Sequence, residues 1–356
     1  MGTTHALLPL VACALCALVL QCLGACAPPR VGSELRRRGD EIVVAGRFFH
    51  TGAPVVLWTD PDGYDAYRVE RRFVPADEAG WEASHKAGLE TPNRYGTRRV
   101  DLTPEEADAA RAGNWTLPML QKHVDQFVIH YDVAGTSRSC FRVLHDARCL
   151  SVHFMIDLDG TIYQTLDAKE RAWHASHAND RSVGVEIANI GAYPPDQAGT
   201  VLPQWYTQDE RGTRVSLPTR LGDGGIRTPG FVARPARPDP ITGPIHGEPF
   251  TQYDFTPEQY ESLARLAAAL HIALPRIALD CPRDAAGAPL ARACSPEEWA
   301  AFHGLIGHFH LTDGKVDPGP AFQWNNLLER ARAVASVGEK APLGPSGGWF
   351  LRYSAP

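Results

Sequence analysis

Short runs of β-branched and aromatic residues recur through the middle of the chain. They are Phe127-Val128-Ile129-His130-Tyr131, Val152-His153-Phe154-Met155-Ile156, Thr161-Ile162-Tyr163-Gln164-Thr165 and Val183-Gly184-Val185-Glu186-Ile187-Ala188. Runs of this kind bounded by Gly, Asp and Asn predict strands. The second and third flank Asp157-Leu158-Asp159-Gly160, which reads as a hairpin turn. The last is apolar on both faces apart from Glu186, so it predicts a strand buried inside a sheet. Nearer the start, Ile42-Val43-Val44 and Val55-Val56-Leu57-Trp58 alternate with Gly46, Gly52-Ala53-Pro54 and Asp60-Pro61-Asp62-Gly63, the pattern of a small β-rich stretch.

Helical punctuation is equally regular. Thr103-Pro104-Glu105-Glu106, Thr256-Pro257-Glu258-Gln259 and Ser295-Pro296-Glu297-Glu298 each place a hydroxyl at the N-cap, Pro at the first helical position and an acid or amide where it closes a capping box. A helix from Pro257 puts Tyr260, Leu263, Leu266, Ala267 and Leu270 on one face, which must cover a core. A helix from Pro296 is expected to carry Trp299, Phe302 and Ile306 and to run straight into the following loop, and a short helix is expected around 139–146. Strands and helices interspersed in this way predict an α/β fold with a small β-rich N-terminal extension. The boundaries read as a leader (1–25), a polar tether (26–39), the extension (40–115), a main domain (116–335) and a tail (336–356). Within the domain, 193–255 is rich in Pro and Gly without a clear period and reads as a long insertion, either covering a cleft or disordered. Trp349, Phe350, Leu351 and Tyr353 predict that the tail's end packs down.

With 356 residues, 44% apolar and 21% charged, the chain can build one large globular domain or two small ones, and its composition is that of a folded chain. The net charge of −6 lies wholly outside residues 1–25, which hold no Lys, Arg, Asp or Glu, and gives no electrostatic case for nucleic acid. Residues 7–20 are an apolar run of signal-peptide length. It leads to Leu23-Gly24-Ala25-Cys26, which resembles a bacterial lipobox; this implies an exported protein anchored to a membrane by lipid on Cys26, an ordinary secretory signal cleaved near Ala25 being the alternative. Of the eight cysteines, Cys140, Cys149, Cys281 and Cys294 then remain, and an even count in an exported protein suggests disulfides. Sequence-local pairing, Cys140 with Cys149 and Cys281 with Cys294, is the expectation, and a zinc site of four thiolates is the alternative.

The richest site composition lies between Gly307 and Pro320, where His308, His310, Lys315 and Asp317 stand among glycines and prolines. A loop so fixed holds polar groups by its backbone. Catalytic zinc takes three protein ligands and keeps a fourth position for water. His308 and Asp317 are candidates for two, and His130, at the end of a strand, is the best third; His310 competes with His308. Glu186 is the other conspicuous group. A carboxylate in a buried strand costs several kcal/mol unless paired, protonated or beside a cation, so it reads as functional, with a structural ion pair as the alternative. His153 reads as a packed core histidine, and His145, His177, His246 and His303 as ordinary ones.

The order of these pieces resembles the type-2 N-acetylmuramoyl-L-alanine amidases, whose superfamily includes the peptidoglycan recognition proteins. The matching pieces are Val128 to Tyr131, Ser151-Val152-His153-Phe154 with Asp159-Gly160, Arg171-Ala172-Trp173-His174-Ala175, Val183 to Ile187, and Gly307-His308 with Lys315 to Pro320. The resemblance implies a mixed central β-sheet flanked by helices with one zinc ion at its end on His130, His308 and Asp317, Glu186 as acid/base, Lys315 as the cation beside the oxyanion, and Arg171, Trp173 and His174 against substrate. It further implies hydrolysis of the lactyl–L-alanine amide of peptidoglycan or its fragments, by a lipoprotein on the periplasmic face of the outer membrane. Val152 stands where some branches place a tyrosine, and Glu186 matches the branch that uses a glutamate. Two other readings keep the same residues: a peptidoglycan-binding module that does not cut, and a zinc hydrolase of another amide.

Overall fold

The computed structural model describes residues 31–339. The leader, Cys26 and the tail aromatics Trp349, Phe350, Leu351 and Tyr353 lie outside the described residues. In chain order the strands are β1 (Glu41–Val44), β2 (Arg47–His50), β3 (Val55–Leu57), β4 (Tyr95–Gly96), β5 (Gln126–Tyr131), β6 (Phe154–Ile156), β7 (Ile162–Gln164), β8 (Arg171–Ala172), β9 (Ser182–Ile187), β10 (Tyr206–Asp209), β11 (Gly212–Val215), β12 (Ile241–Ile245), β13 (Glu248–Gln252) and β14 (Gly304–Gly307). The helices include α1 (Pro104–Arg111), α2 (Leu117–His123), α3 (Ser137–Phe141), α4 (Pro257–Ala273), α5 (Pro296–Ala301) and α6 (Trp324–Glu339).

The central sheet runs β14-β5-β9-β6-β7-β3. Only β6 and β7 pair antiparallel, through the Asp157–Gly160 turn read from the sequence; the other neighbours are parallel. This is the mixed sheet flanked by helices expected of the chain. Side chains alternate along a strand, so each strand divides its residues between two faces. Phe127 and Ile129 of β5 and Val183, Val185 and Ile187 of β9 pack with Leu263, Leu266, Ala267 and Leu270 of α4 and Leu327, Leu328 and Ala331 of α6. The alternate residues, Val128 and His130 on β5 and Gly184 and Glu186 on β9, face the other way, where Val128 meets Ala175, Ala178 and Ile306. The apolar periodicity thus commits one face to the core and leaves the opposite face for chemistry.

Helix starts follow the sequence. Thr103, Thr256 and Ser295 each accept the backbone N–H three residues on, and Glu106, Gln259 and Glu298 close the box. One helix is shorter than expected. α5 ends at Ala301, Phe302 is extended, and Gly304 sits at φ +147 with Ala278 and Asp280 carbonyls so close that a Cβ would crowd them. The apolar spacing of Trp299, Phe302 and Ile306 therefore spans a helix, a sharp turn and the edge strand β14 rather than one continuous helix face.

Among the described residues, 39–339 form one compact unit. β1 and β2 make the N-terminal hairpin over Ala45 and Gly46, both at positive φ, and β3 adds an edge strand to the central sheet. Arg98 roots this N-terminal stretch in the rest. Its fully buried guanidinium donates to the carbonyls of Ala168, Lys169, Asn179 and Ser182, which lie around β8 and the start of β9. The 193–255 insertion is ordered: a helix at Pro195–Val201, the β10–β11 hairpin and the β12–β13 hairpin all form within it.

The expected disulfides are absent. Cys140, Cys149, Cys281 and Cys294 are free thiols. Cys140 is buried at the helix–sheet contact with Phe141 and Met155, whereas Cys149 sits at φ +51 just past the helical turn; the chain between them is wound into helix. Burial pushes the Cys281 and Cys294 thiols up to about 11, and no cysteine belongs to a metal-capable cluster among the described residues.

Replacing Arg98 with Met keeps the bulk but strands several buried carbonyls. The expected loss is about 3 kcal/mol or more of unfolding free energy, read from urea midpoints of the two proteins; equal midpoints would show that the guanidinium does not tie the N-terminal stretch down.

Candidate metal centre and cleft

Three parallel neighbours, β14, β5 and β9, end side by side, and their carboxyl ends carry the site. His130 and Glu186 are in register on β5 and β9, and Gly307 of β14 pairs with Ile129, so His308 emerges one residue beyond. Parallel strands aligned this way present consecutive loops to one crevice. The chain then turns through His308–His310, and a hydrogen bond from Phe309 N–H to the Asp317 carbonyl brings the loop back beneath His308.

This closes a tight triangle. His130 Nδ1 lies 3.0 Å from His308 Nδ1 and 2.9 Å from Asp317 Oδ2, and His308 Nδ1 lies 3.1 Å from the same oxygen. The first two contacts join residues 178 and 187 positions apart in the chain. His130 and Asp317 are buried and His308 nearly so. Burial opposes charge on Asp317, yet the facing imidazoles of His308 and His130 hold its carboxyl below the usual carboxylate range. Burial, then the neighbouring His308, pushes His130 down to about 4, so it is neutral near pH 7.

The donor set fits a zinc ion. Atoms bound at zinc's usual distances on a tetrahedron stand about 3.3 Å apart, close to the observed separations. The tautomer fits as well. His130 Nε2 lies 3.0 Å from His174 Nδ1, and His174 Nε2 lies 3.5 Å from Ser182 Oγ. With His174 carrying its proton on Nε2, its Nδ1 accepts from His130 Nε2–H, and the His130 Nδ1 lone pair is left for a cation. His174 is itself held from behind: Asn179 Oδ1 accepts the N–H groups of His174 and Ala175 at 3.2 and 2.7 Å. Its ring lies against Gly184, where a Cβ would overlap it.

His310 is not part of the triangle. Its Nδ1 accepts from Gly307 N–H at 2.8 Å and its Nε2 donates to the Leu290 carbonyl at 2.8 Å, so both nitrogens are spent. His153 is likewise a packed histidine: Nδ1 accepts from Gly184 N–H and Nε2 faces the Glu170 carbonyl.

The triangle forms one wall of a cleft of ≈ 170 Å³ whose lining also includes Tyr131, Asp132, Cys140, Arg148, Trp173, His174, Glu186 and Lys315. Glu186 Oε2 is buried without a hydrogen-bond partner. Burial, then the charges of Asp317 and Asp132, raise its carboxyl well above the ordinary range, while Lys315 and Arg148 pull the other way. Such a group is poised to exchange a proton with whatever enters. Arg171 is not brought into the cleft; its guanidinium is paired with Asp180 at 2.6 Å. Arg148 is, and sequence reasoning missed it, as it missed Asn179 and Ser182. Nothing in the local pattern distinguishes Arg148 from a solvated surface arginine, because its place is set by the helical turn before it.

Residues 120–211 match the model of the N-acetylmuramoyl-L-alanine amidase family. This segment belongs to the type-2 amidases. With the family comes the enzyme class, N-acetylmuramoyl-L-alanine amidase. The matched amidase segment contains His130, Trp173, His174 and Glu186 but ends long before His308, Lys315 and Asp317. Among solved structures the chain is similar to a selenomethionine derivative of AmpD (17% identity, 69% of this chain and 96% of that chain, TM-score 0.29). It is also similar to AmiD from E. coli in complex with anhydro-N-acetylmuramic acid-L-Ala-D-γ-Glu-L-Lys (18%, 58% and 57%, TM-score 0.32). A further likeness is to the Ph2119 endolysin from Thermus scotoductus MAT2119 bacteriophage Ph2119 (14%, 66% and 90%, TM-score 0.30). No curated protein matches the chain.

A Gly184→Ala amidase should displace the His174 ring and unseat His130. The expected outcome is about a 10- to 100-fold weaker zinc affinity, measured by competition with a chromophoric chelator; unchanged affinity would remove His174 from the support of the metal centre.

Proposed function

We propose that the chain is a zinc-dependent enzyme that hydrolyses the amide between the lactyl group of N-acetylmuramic acid and L-alanine, in peptidoglycan or fragments released from it. The observation that carries this reading is the convergence of His130, His308 and Asp317 within 3.1 Å beside the unpartnered carboxyl oxygen of Glu186. His130, His308 and Asp317 would hold the ion. When bound, zinc supplies Lewis acidity and brings water into the range where it loses a proton near neutral pH.

The protein's own residues then divide the work. Glu186 accepts the proton of the attacking water, which its raised affinity for protons favours, and returns it to the L-alanine nitrogen as the C–N bond breaks. Lys315, exposed at the cleft, places its ammonium beside the oxyanion that forms on the lactyl carbonyl. Trp173 and His174 line the approach, and Arg148 offers a cation for a stem-peptide carboxylate. Arg171 serves this role only by leaving Asp180. Export and attachment through Cys26, expected from the leader, belong to the same reading and would place the enzyme where murein is.

The reading is tested by mass spectrometry of muropeptides and intact murein incubated with the protein lacking residues 1–26, with chelator and with zinc restored. Free stem peptides beginning at L-alanine, lost with chelator and regained with zinc, are the expected result. Zinc bound without peptide release from either substrate would favour a binding module or a hydrolase of another amide. Glu186→Gln should keep zinc and lose about 10²- to 10⁴-fold in turnover. Asp317→Ala should lose zinc, and full occupancy in that variant would overturn the ligand set.

A further inference from the structure

Asp317 and Lys315 sit on a loop whose own backbone holds it lightly past Leu311: besides Phe309 N–H to the Asp317 carbonyl, its backbone bonds there are Lys315 N–H to Thr312 O at 3.4 Å and Phe322 N–H to Gly319 O at 3.3 Å. The insertion adds to these. The β12–β13 hairpin turns through His246 and Gly247 at φ +54 and +84, the two left-handed residues of a tight hairpin turn, and stands outside the central sheet. Its edge is tied to the residues that follow β9, with Tyr193 and Thr251 exchanging N–H···O bonds of 3.0 and 2.8 Å. From that base it grips the ligand loop at both ends.

At the tip, His246 Nε2 donates to the Lys315 carbonyl at 2.8 Å, while its Nδ1 accepts from Ala293 N–H and its own N–H donates to Ala291 O. At the base, Gln252, fully buried, donates from Nε2 to the Pro318 carbonyl at 3.1 Å and accepts Ala321 N–H on Oε1 at 3.2 Å. Gly319, at φ +87 between these two contacts, lies so close to the Gln252 amide that a Cβ would overlap it. A primary amide that donates and accepts on either side of a glycine fixes the backbone in direction as well as position. The carbonyl of Pro318 is one peptide unit from Asp317, and that of Lys315 belongs to the residue whose ammonium enters the cleft.

We infer that the β12–β13 hairpin of the insertion is a positioning clamp for the amidase loop, with Gln252 setting the metal affinity through Asp317 and His246 setting turnover through Lys315. The inference rests on the zinc site proposed above and, for its second half, on the proposed reaction as well. Because the two side chains hold different points of the loop, their loss has different signatures. Releasing Pro318 and Ala321 lets Asp317 drift from His130 and His308, so zinc is bound less tightly. Releasing Lys315 leaves the triangle intact and loosens only the cation.

The test uses two variants and zinc itself as probe. Gln252→Met keeps the volume and removes both hydrogen bonds to the loop, with the 3.5 Å contact to Asn189 Oδ1; Gln252→Glu, closer in shape, serves should the first not fold. His246→Gly keeps the left-handed backbone and removes the imidazole. Zinc titrated against a chromophoric chelator should show a Kd at least about tenfold higher for the Gln252 variant and within about threefold of the parent for His246→Gly. At saturating zinc, the Gln252 variant should recover kcat, whereas His246→Gly should lose about tenfold in kcat with KM unchanged. A hairpin with only a structural role would lower the melting temperature of the zinc-free protein and leave these ratios unmoved, and a Gln252 variant whose Kd matches the parent would overturn the clamp. The zinc arm needs no substrate. It decides the clamp even if the parent releases no stem peptide, an outcome that fails the functional reading alone.

Discussion

A buried carboxylate that must remain charged sets the terms at the carboxyl end of this sheet. Asp317 has little solvent to stabilise its anion, so the imidazoles of His130 and His308 must do so, and each lies within 3.1 Å of its Oδ2. Three facing acceptor atoms hold together only around a proton or a metal cation. The surrounding hydrogen bonds fit the second. His174 takes the far nitrogen of His130, Asn179 fixes the backbone of His174, and Gly184 makes room for its ring. Burial lowers the proton affinity of His130 and so keeps its ring neutral near pH 7.

The parallel register of β5 and β9 connects this centre with Glu186. Residues in register on parallel strands point to the same face, so the strand that places His130 over the triangle necessarily places Glu186 beside it. The opposite face, bearing Ile129, Val185 and Ile187, is packed against α4 and α6 and cannot shift without opening the core. A slip of one residue would turn both groups into that core. The geometry of Glu186 and the strand position of His130 are thereby held by apolar packing, which leaves Glu186 Oε2 unpartnered at no cost to the fold's definition.

Much of this was legible in the sequence because it is local. Capping boxes, the Asp157–Gly160 hairpin and the buried strand at Val183–Ile187 each depend on neighbouring residues, and all form as read. His130, His308, Asp317 and Glu186 stood out because a polar group at a strand end, or in a loop of Gly and Pro, has few bland explanations. What escaped was contingent on three dimensions. Period-3.6 spacing through Trp299, Phe302 and Ile306 concealed the turn at Gly304 and the edge strand β14. Cysteine parity suggested bridges, whereas the thiols sit unbonded in different packing environments. Arg171 matched a motif but meets Asp180, and Arg148 matched none but reaches the cleft. The choice between His308 and His310 needed the partners of each nitrogen, which no spacing rule supplies.

The position of the insertion explains how so much added chain coexists with so tight a centre. β5 and β14 are parallel neighbours, and parallel strands are joined only by a long crossover, here passing through α4. Chain inserted between β9 and α4 lengthens that crossover without altering the pairing of any strand in the central sheet. It is therefore free to fold on its own terms, as two hairpins and a helix. Its cost is the loop-closure entropy of a longer connection, which grows only slowly with length. What it returns depends on where it touches the domain again. β12–β13 lands on a loop that strand pairing leaves under-determined, the stretch from Lys315 to Ala321 that follows the last strand of the sheet. A segment that is dispensable to the sheet can in this way become indispensable to the centre that the sheet carries.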